Sequence, residues 1–579
     1  CLAGAANRDP AEPARRRRHP SLSGTWDVKR NTRSNVGAGL LLLFLAWLVL
    51  YPLLLVLIEG FRGPDGWTLE FVRQFFQRRN EAQALWGSLW ISVATVILAG
   101  GIGVPLAFLF WRYDFPGRRA LGGLVALPAV LPPLVGVIAF LFLYGESGFT
   151  SLLVQWLFRL DEPPWRLQGA AAILLVHAYS MYVYFYLFTR AGLSSLDASV
   201  FEAAASLGAG RGRTLRRVVL PLLYPSLAGG ALLTFMTALA SFSAPYIFGG
   251  GFRVMPTQIV ATRLNGDDQL AMVETASLTL LALLGLWLLR GTRATNEQIG
   301  GRKGVPPALV PIRSRAARLL VGVLGWGLAL VLLLPHLTLL LVSFVPVGTW
   351  TTEPFPPAYT WRNYLTLIQD PVRARPLLNS LWLATTATGV AVAIALFAGI
   401  LSVRSRVRTG GAIQGLLTLP WAVPGTVFAI ALATAFSVHA PLAGRFILVG
   451  TLWILPLAYV VRDLPLTGRA VLAGLRGLDP SLDEAAATLG AGWWRTLRRV
   501  TLPLLRPALV AGASLAFVTA FGDFVTSIML YTYDTRPISL EILSSLRQSD
   551  VGVAAAYGVV LMAVSALVFA VGAEQGSTG

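Results

Sequence analysis

Apolar residues in this chain gather into runs of about twenty, much longer than the alternation of a strand or the stripe of a soluble helix. Twelve such runs can be drawn, at 37–59, 86–111, 121–144, 169–189, 227–249, 272–289, 319–346, 378–403, 412–437, 446–461, 508–530 and 552–573. Within hydrocarbon, each backbone amide must be satisfied inside its own helix or in a closed barrel. A barrel would show alternation, so the runs predict helices. The expected fold is an all-α integral membrane protein with about twelve transmembrane helices.

Composition and charge sharpen this picture. Only 13% of residues are charged, against about 25% in soluble domains. The net charge of +19 would suit a nucleic-acid partner, but its distribution argues otherwise. With the N-terminus inside, 33 of the 47 Lys and Arg fall on the cytoplasmic side, with 12 of the 28 Asp and Glu. That asymmetry predicts cytoplasmic termini, outward loops at 60–85, 145–168 and 347–377, and lipid headgroups as the basic residues' partner. The chain opens on Cys1 rather than Met, which points to a truncated or misassigned start. The run Arg15-Arg16-Arg17-Arg18 favours a cytoplasmic tail over a lipidated cysteine. Residues 1–36 are expected to be a disordered tail and 291–318, with Pro306-Pro307 and Pro311, a cytoplasmic linker. Bundles at 37–290 and 319–579 flank it.

The polar segments contain a repeat. Residues 202–221 read EAAASLGAGRGRTLRRVVLP and residues 484–503 read EAAATLGAGWWRTLRRVTLP, offset by 282. The same offset carries Asp197 onto Asp479 and Pro225 onto Pro507. Earlier, LPAVLPP at 127–133 answers LPWAVPG at 419–425, offset by 292, and a longer outer loop at 145–168 absorbs the difference. Copies separated by an even number of spans run parallel. They predict two homologous six-helix domains about a pseudo-twofold along the membrane normal.

Each copy predicts a helix, a turn and a second helix at the cytoplasmic face. Ala198 to Leu207 are mostly good helix formers, with Asp197 placed as the cap. Gly208 and Gly210 tolerate left-handed backbone and are expected to end that helix. A second helix from near Arg213 to Pro221 sets Arg213, Arg216 and Arg217 on one face and Leu215, Val218 and Leu222 on another. Arg495, Arg498 and Arg499 repeat the basic face. Such a projection suits docking in a groove on a soluble partner. A loop serving topology alone would explain the arginines but not the repeated Glu-Ala-Ala and Gly spacing.

These segments resemble the EAA motif of binding-protein-dependent ABC importer permeases, and nearly the whole chain outside tail and linker shares the resemblance. The fused twelve-span form looks most like the ferric-iron permeases, with thiamine and 2-aminoethylphosphonate permeases as close relatives. The resemblance implies a permease subunit of the bacterial inner membrane that accepts solute from a periplasmic binding protein. Ferric iron is the first expectation, with thiamine, 2-aminoethylphosphonate, sulfate or polyamine as alternatives. It implies that Glu202, Ala203, Ala204, Gly208, Arg213, Arg216, Arg217 and Pro221 couple to a cytoplasmic ATPase, a homodimer. Glu484, Ala485, Ala486, Gly490, Arg495, Arg498, Arg499 and Pro503 would do the same in the second half. No phosphate-binding G-x-x-x-x-G-K-[ST] segment occurs. The chain is therefore expected to hold no cofactor and catalyse no reaction, with ATP and magnesium on the partner.

His19, His177, His336 and His439 are scattered without metal-ligand spacing, and His177 reads as a hydrogen-bonded packing residue. Pro128, Pro132, Pro133, Pro420 and Pro424 read equally as kinks or as tolerated packing features. A secondary transporter would have no need of paired EAA loops, and a membrane enzyme would cluster reactive groups at one face. The fifth span of the second half carries Thr519, Asp523, Thr526 and Ser527, read as one polar stripe on a continuous helix. Thr237 and Ser241 are its partners in the first half. Together these six are the expected path-lining residues, with Asp523 as a single negative charge that favours a cation.

Overall fold

In the computed structural model, the described residues are 23–63, 65–129, 132–288, 309–312, 314–350, 353–405, 407–437, 440–442 and 446–577. Residues 1–22, most of the linker, and His19 and His439 lie outside them. Ten helices are long and apolar enough to cross a membrane. In chain order the first half contains α1 (Ser34–Glu59), α2 (Arg79–Arg112), α3 (Pro133–Phe158) and α4 (Gly169–Ser194). A short helix α5 (Ala198–Ser206) follows, then α6 (Arg211–Leu239), α7 (Met255–Leu264) and α8 (Asp268–Leu288).

The second half repeats this order with α9 (Arg315–Val342) and α10 (Pro371–Arg404). Its third span is a pair, α11 (Gly410–Ala422) and α12 (Gly425–Ala435), bent by 112°. Then come α13 (Ile454–Gly477), α14 (Ser481–Thr488), α15 (Trp493–Phe521), α16 (Ile538–Arg547) and α17 (Val551–Gly572). With 24 residues, α13 is long enough to span. Its Arg462, Asp463, Arg469 and Arg476 set it apart from the purely apolar helices. Counting the bent pair as one span and α13 as another gives twelve.

Small residues let the helices of each bundle approach closely. Ala384, Ala387, Ala391, Ala395 and Ala398 form a fully buried stripe on α10, which packs against α13. In the first half, a Cβ on Gly103 of α2 would lie 2.3 Å from the Tyr182 carbonyl of α4. The opening helix of each half also reaches the other half: α1 packs along α11 and α12, and α9 along α3.

Several sequence expectations need correction. The helix that leads into α1 begins at Ser23, inside the expected tail. α9 starts at Arg315, inside the expected linker, and Val310–Pro311 pairs with Tyr113–Asp114. The third span is not the single helix 121–144. A helix Arg118–Ala126 is separated from α3 at the Pro-rich segment, and the second half bends at Pro424. The prolines there remove amide donors, so the helix breaks rather than kinks. The tenth span is α13 rather than 446–461, because its charges are paired or buried in protein instead of ending the helix. The fifth spans stop at Leu239 and Phe521, about nine residues short of the apolar run. The second helix of each EAA segment does not end at Pro221 or Pro503. A π turn at Leu215–Val219 or Leu497–Thr501 accommodates the missing proline amide, and the helix continues into the membrane.

Candidate functional site

The two EAA segments fold alike. The Asp197 carboxylate accepts the Ser199 amide at 2.9 Å, and Asp479 accepts that of Ser481 at 2.9 Å. The Ser481 backbone amide and hydroxyl hold the exposed Asp479 carboxyl below its usual range. Each short helix closes on a glycine in left-handed backbone, Gly208 at φ +72 and Gly490 at φ +73. The Ala209 amide bonds the Ala204 carbonyl at 3.0 Å, and Ala491 bonds Ala486 at 2.9 Å. Gly210 is extended, with φ −66 and ψ 160, so only one glycine of each pair supplies the left-handed turn. Gly210 instead stands at the N-cap of α6.

Within each Glu-Ala-Ala, the second alanine is buried and the glutamate is exposed. Ala204 and Ala486 pack beneath their helices, while Glu202, Ala203, Glu484 and Ala485 face solvent. The arginines Arg213, Arg216, Arg217, Arg495, Arg498 and Arg499 are all exposed. Sequence reasoning overlooked the apolar knobs: Leu207 is 86% and Leu489 87% exposed, each just before its glycine. The second segment adds exposed Trp493 and Trp494 where the first has Arg211 and Gly212. Its Asp483 pairs with Arg404 at 3.1 Å, fastening α14 to the end of α10.

The polar stripe is distributed differently. Thr237 and Thr519 are part-exposed on α6 and α15, and each donates to the carbonyl four residues back. Asp523, Thr526 and Ser527 lie beyond the end of α15. Asp523 is buried, accepts the Thr526 and Ser527 amides at 2.9 and 3.0 Å, and pairs with Arg462 of α13. Arg462 also donates to Thr526 at 2.9 Å, and Tyr459 shares a 2.6 Å hydrogen bond with Ser527. Arg462 neutralises the carboxylate, so Asp523 is not a free negative charge. The inference from that charge to a cationic solute fails.

In the first half, Ser241 plays the corresponding part with His177 of α4. Thr95 gives its proton to the Ile91 carbonyl at 2.7 Å, so it accepts from Nδ1 of His177 at 3.0 Å. Nε2 is then free to accept the Ser241 hydroxyl at 2.8 Å. In both halves the fourth span grips the loop that follows the fifth.

Beside these grips the halves meet. Phe242 and Phe524 stand 282 residues apart, so they are counterparts, and their ring centroids lie 5.6 Å from each other across the pseudo-twofold. Tyr246 stacks on Phe242 at 5.1 Å and meets Phe524 edge-on at 5.9 Å. Arg547 of α16 donates to the Tyr246 hydroxyl. Both phenylalanines are buried. Among the described residues, no group of three His, Cys, Asp or Glu side chains is placed to hold a metal ion.

Residues 99–291 and 391–573 match the family described as binding-protein-dependent transport system inner membrane component. The chain is 32% identical over 565 residues to the probable ABC transporter permease protein y4fN of Sinorhizobium fredii, covering 95% of this chain and 99% of that protein. It is 28% identical over 510 residues to a putative ferric transport system permease of Haemophilus influenzae, covering 86% and 78%. To the thiamine transport system permease of Escherichia coli it is 24% identical, covering 84% and 87%.

Proposed function

The chain belongs to the family of binding-protein-dependent transport system inner membrane components, and from that premise we propose that it is a two-domain permease of a ferric-iron ABC importer. Similarity to a ferric permease along 86% of the chain, in the same fused form, carries the substrate reading. The twofold-repeated docking loops support the energy source: a cytoplasmic ATPase pair, with ATP and magnesium, gripping Leu207 and Leu489 with the flanking Glu and Arg residues. A periplasmic binding protein delivers the solute to the outer face. In cells carrying this chain with its ATPase and binding protein, radiolabelled ferric iron should accumulate and labelled thiamine should not. Thiamine, sulfate, polyamine or 2-aminoethylphosphonate uptake without iron uptake would reassign the substrate.

In this reading both termini are cytoplasmic and the protein lies in the bacterial inner membrane. The division of basic residues supports it. Single cysteines in the loops 60–85, 145–168 and 347–377, with Cys1 replaced, should react with an impermeant maleimide in intact cells. Labelling only after lysis would reverse the topology.

The path runs between the halves, past Thr237 and Thr519, and the Phe242–Phe524 contact closes it. Desolvated apolar rings exclude a hydrated ion, as in channels that gate by dewetting. Phe242→Ala with Phe524→Ala should therefore let small ions leak through proteoliposomes holding the chain. It should also uncouple ATP hydrolysis from uptake. An ion-tight double variant with normal uptake would place the seal elsewhere.

A further inference from the structure

We propose that the outer end of the first bundle binds a hard divalent cation, of the calcium class, between Glu81 of α2 and Glu274 of α8. Glu81 is 3% and Glu274 0% exposed. Gln258 of α7 donates to Oε1 of Glu81 at 3.2 Å, and Thr262 donates to Oε1 of Glu274 at 2.7 Å. The other carboxylate oxygens, Oε2 of both residues, are buried and receive no donor from any other residue, the two carboxyl groups lying against each other. A buried carboxylate oxygen without a donor is expensive to maintain, and two of them in one network ask for a positive charge.

The neighbouring arginines do not supply it. Arg78 pairs with Asp267 at 3.0 Å, Arg263 with Asp268 at 3.3 Å, and Arg253 donates to Oε1 of Gln258 at 2.9 Å. Among the described residues, no ion pair reaches Glu81 or Glu274.

The second bundle shows what this place holds when the chain provides its own cation. The repeat register is fixed by matched bonds. Ser88 accepts the Met255 amide at 2.7 Å where Ser380 accepts that of Ile538 at 2.9 Å. The Asp267 amide bonds the Thr262 carbonyl where Asp550 bonds that of Ser545. In that register Arg373 stands for Glu81, Tyr557 for Glu274, Glu541 for Gln258 and Ser545 for Thr262. Tyr557 donates to the Arg373 carbonyl at 2.6 Å, so the paired positions are neighbours there as well. Arg373 ion-pairs with Asp550 at 3.1 Å, and Glu541 with Arg536 at 3.1 Å. One bundle carries an arginine where the other carries a second buried carboxylate and no cation.

The donors at the first site are all oxygen: two carboxylates and the Thr262 hydroxyl. That set suits calcium, whose loose shell of six to eight oxygens is completed by water, better than a thiophilic or imidazole-loving metal. Exposed Asn265, Gly266 and Asp268 follow Thr262 in the chain, on the side that the charge asymmetry turns outward.

Equilibrium binding of radioactive calcium to the full chain in nanodiscs of neutral lipid tests the proposal. One saturable calcium per chain is expected, lost both in Glu81→Gln with Glu274→Gln and in Glu81→Arg. The arginine variant copies the second bundle, so it should fold and unfold at a temperature indifferent to calcium, whereas calcium should raise the unfolding temperature of the wild type. Calcium bound equally by wild type and both variants would overturn the site as lipid or tail binding. No saturable calcium, with wild-type stability that responds to pH alone, would overturn it in favour of a proton shared by the two carboxyls.

Discussion

Gly208→Pro combined with Gly490→Pro is expected to reduce transport to background while the protein still inserts into the membrane. Both glycines hold φ near +72, and proline is locked near −65°, so neither turn can be kept. The turn bonds from Ala209 to Ala204 and from Ala491 to Ala486 would be lost with it. Leu207 and Leu489, each next to its glycine, would then point away from their present positions. The spans do not depend on these turns, because α6 and α15 are capped separately at Gly210 and Gly492. Glu202→Ala with Glu484→Ala should weaken the same docking through lost charge, with the turn intact. Retention of the ATPase on purification and the uptake rate check both pairs. Wild-type ATPase retention and uptake in the proline pair would remove the loops from coupling.

The other large effect belongs to Arg462. Arg462→Ala strands Asp523 in a buried position among Thr526, Ser527 and Tyr459, and breaking such a pair destabilises by roughly 3 kcal/mol. The low end of the usual range applies because the Arg462 side chain is 27% exposed. Asp523→Asn should cost less. The amide oxygen can keep the Thr526 and Ser527 backbone bonds, and Arg462 can reach water. It should slow transport while leaving ATPase assembly intact, because the loop after α15 sets the position of Phe524. A double-mutant cycle in thermal unfolding separates the pair from the single changes. Additive single effects would mean the two charges do not support each other.

The fold was largely legible because hydrocarbon leaves the chain little choice: a run of twenty apolar residues must be a helix. The same logic misplaced α13, since Arg462 and Asp463 look like a helix end when polarity alone is read, yet they are accommodated in the bundle. It overextended the fifth spans, since residues after Leu239 and Phe521 are apolar because they pack between the halves, not because they continue the helix. The EAA loops were readable residue by residue, as capping and turn chemistry are local. Leu207 and Leu489 were missed because an exposed leucine is unremarkable in sequence and informative only once its exposure is known. Arg462 as partner of Asp523 required contact between two spans. The Phe242–Phe524 pair did not require it; carrying the 282-residue offset from the loops into the following residues would have found it.

Uptake into proteoliposomes containing this chain and its ATPase, with ferric iron presented on the binding protein, tests the central claim most directly. Iron should enter only when ATP is available to the ATPase, and Gly208→Pro with Gly490→Pro should stop it. Entry that proceeds without the ATPase, driven by a proton or sodium gradient, would contradict the account and mark the chain as a secondary transporter.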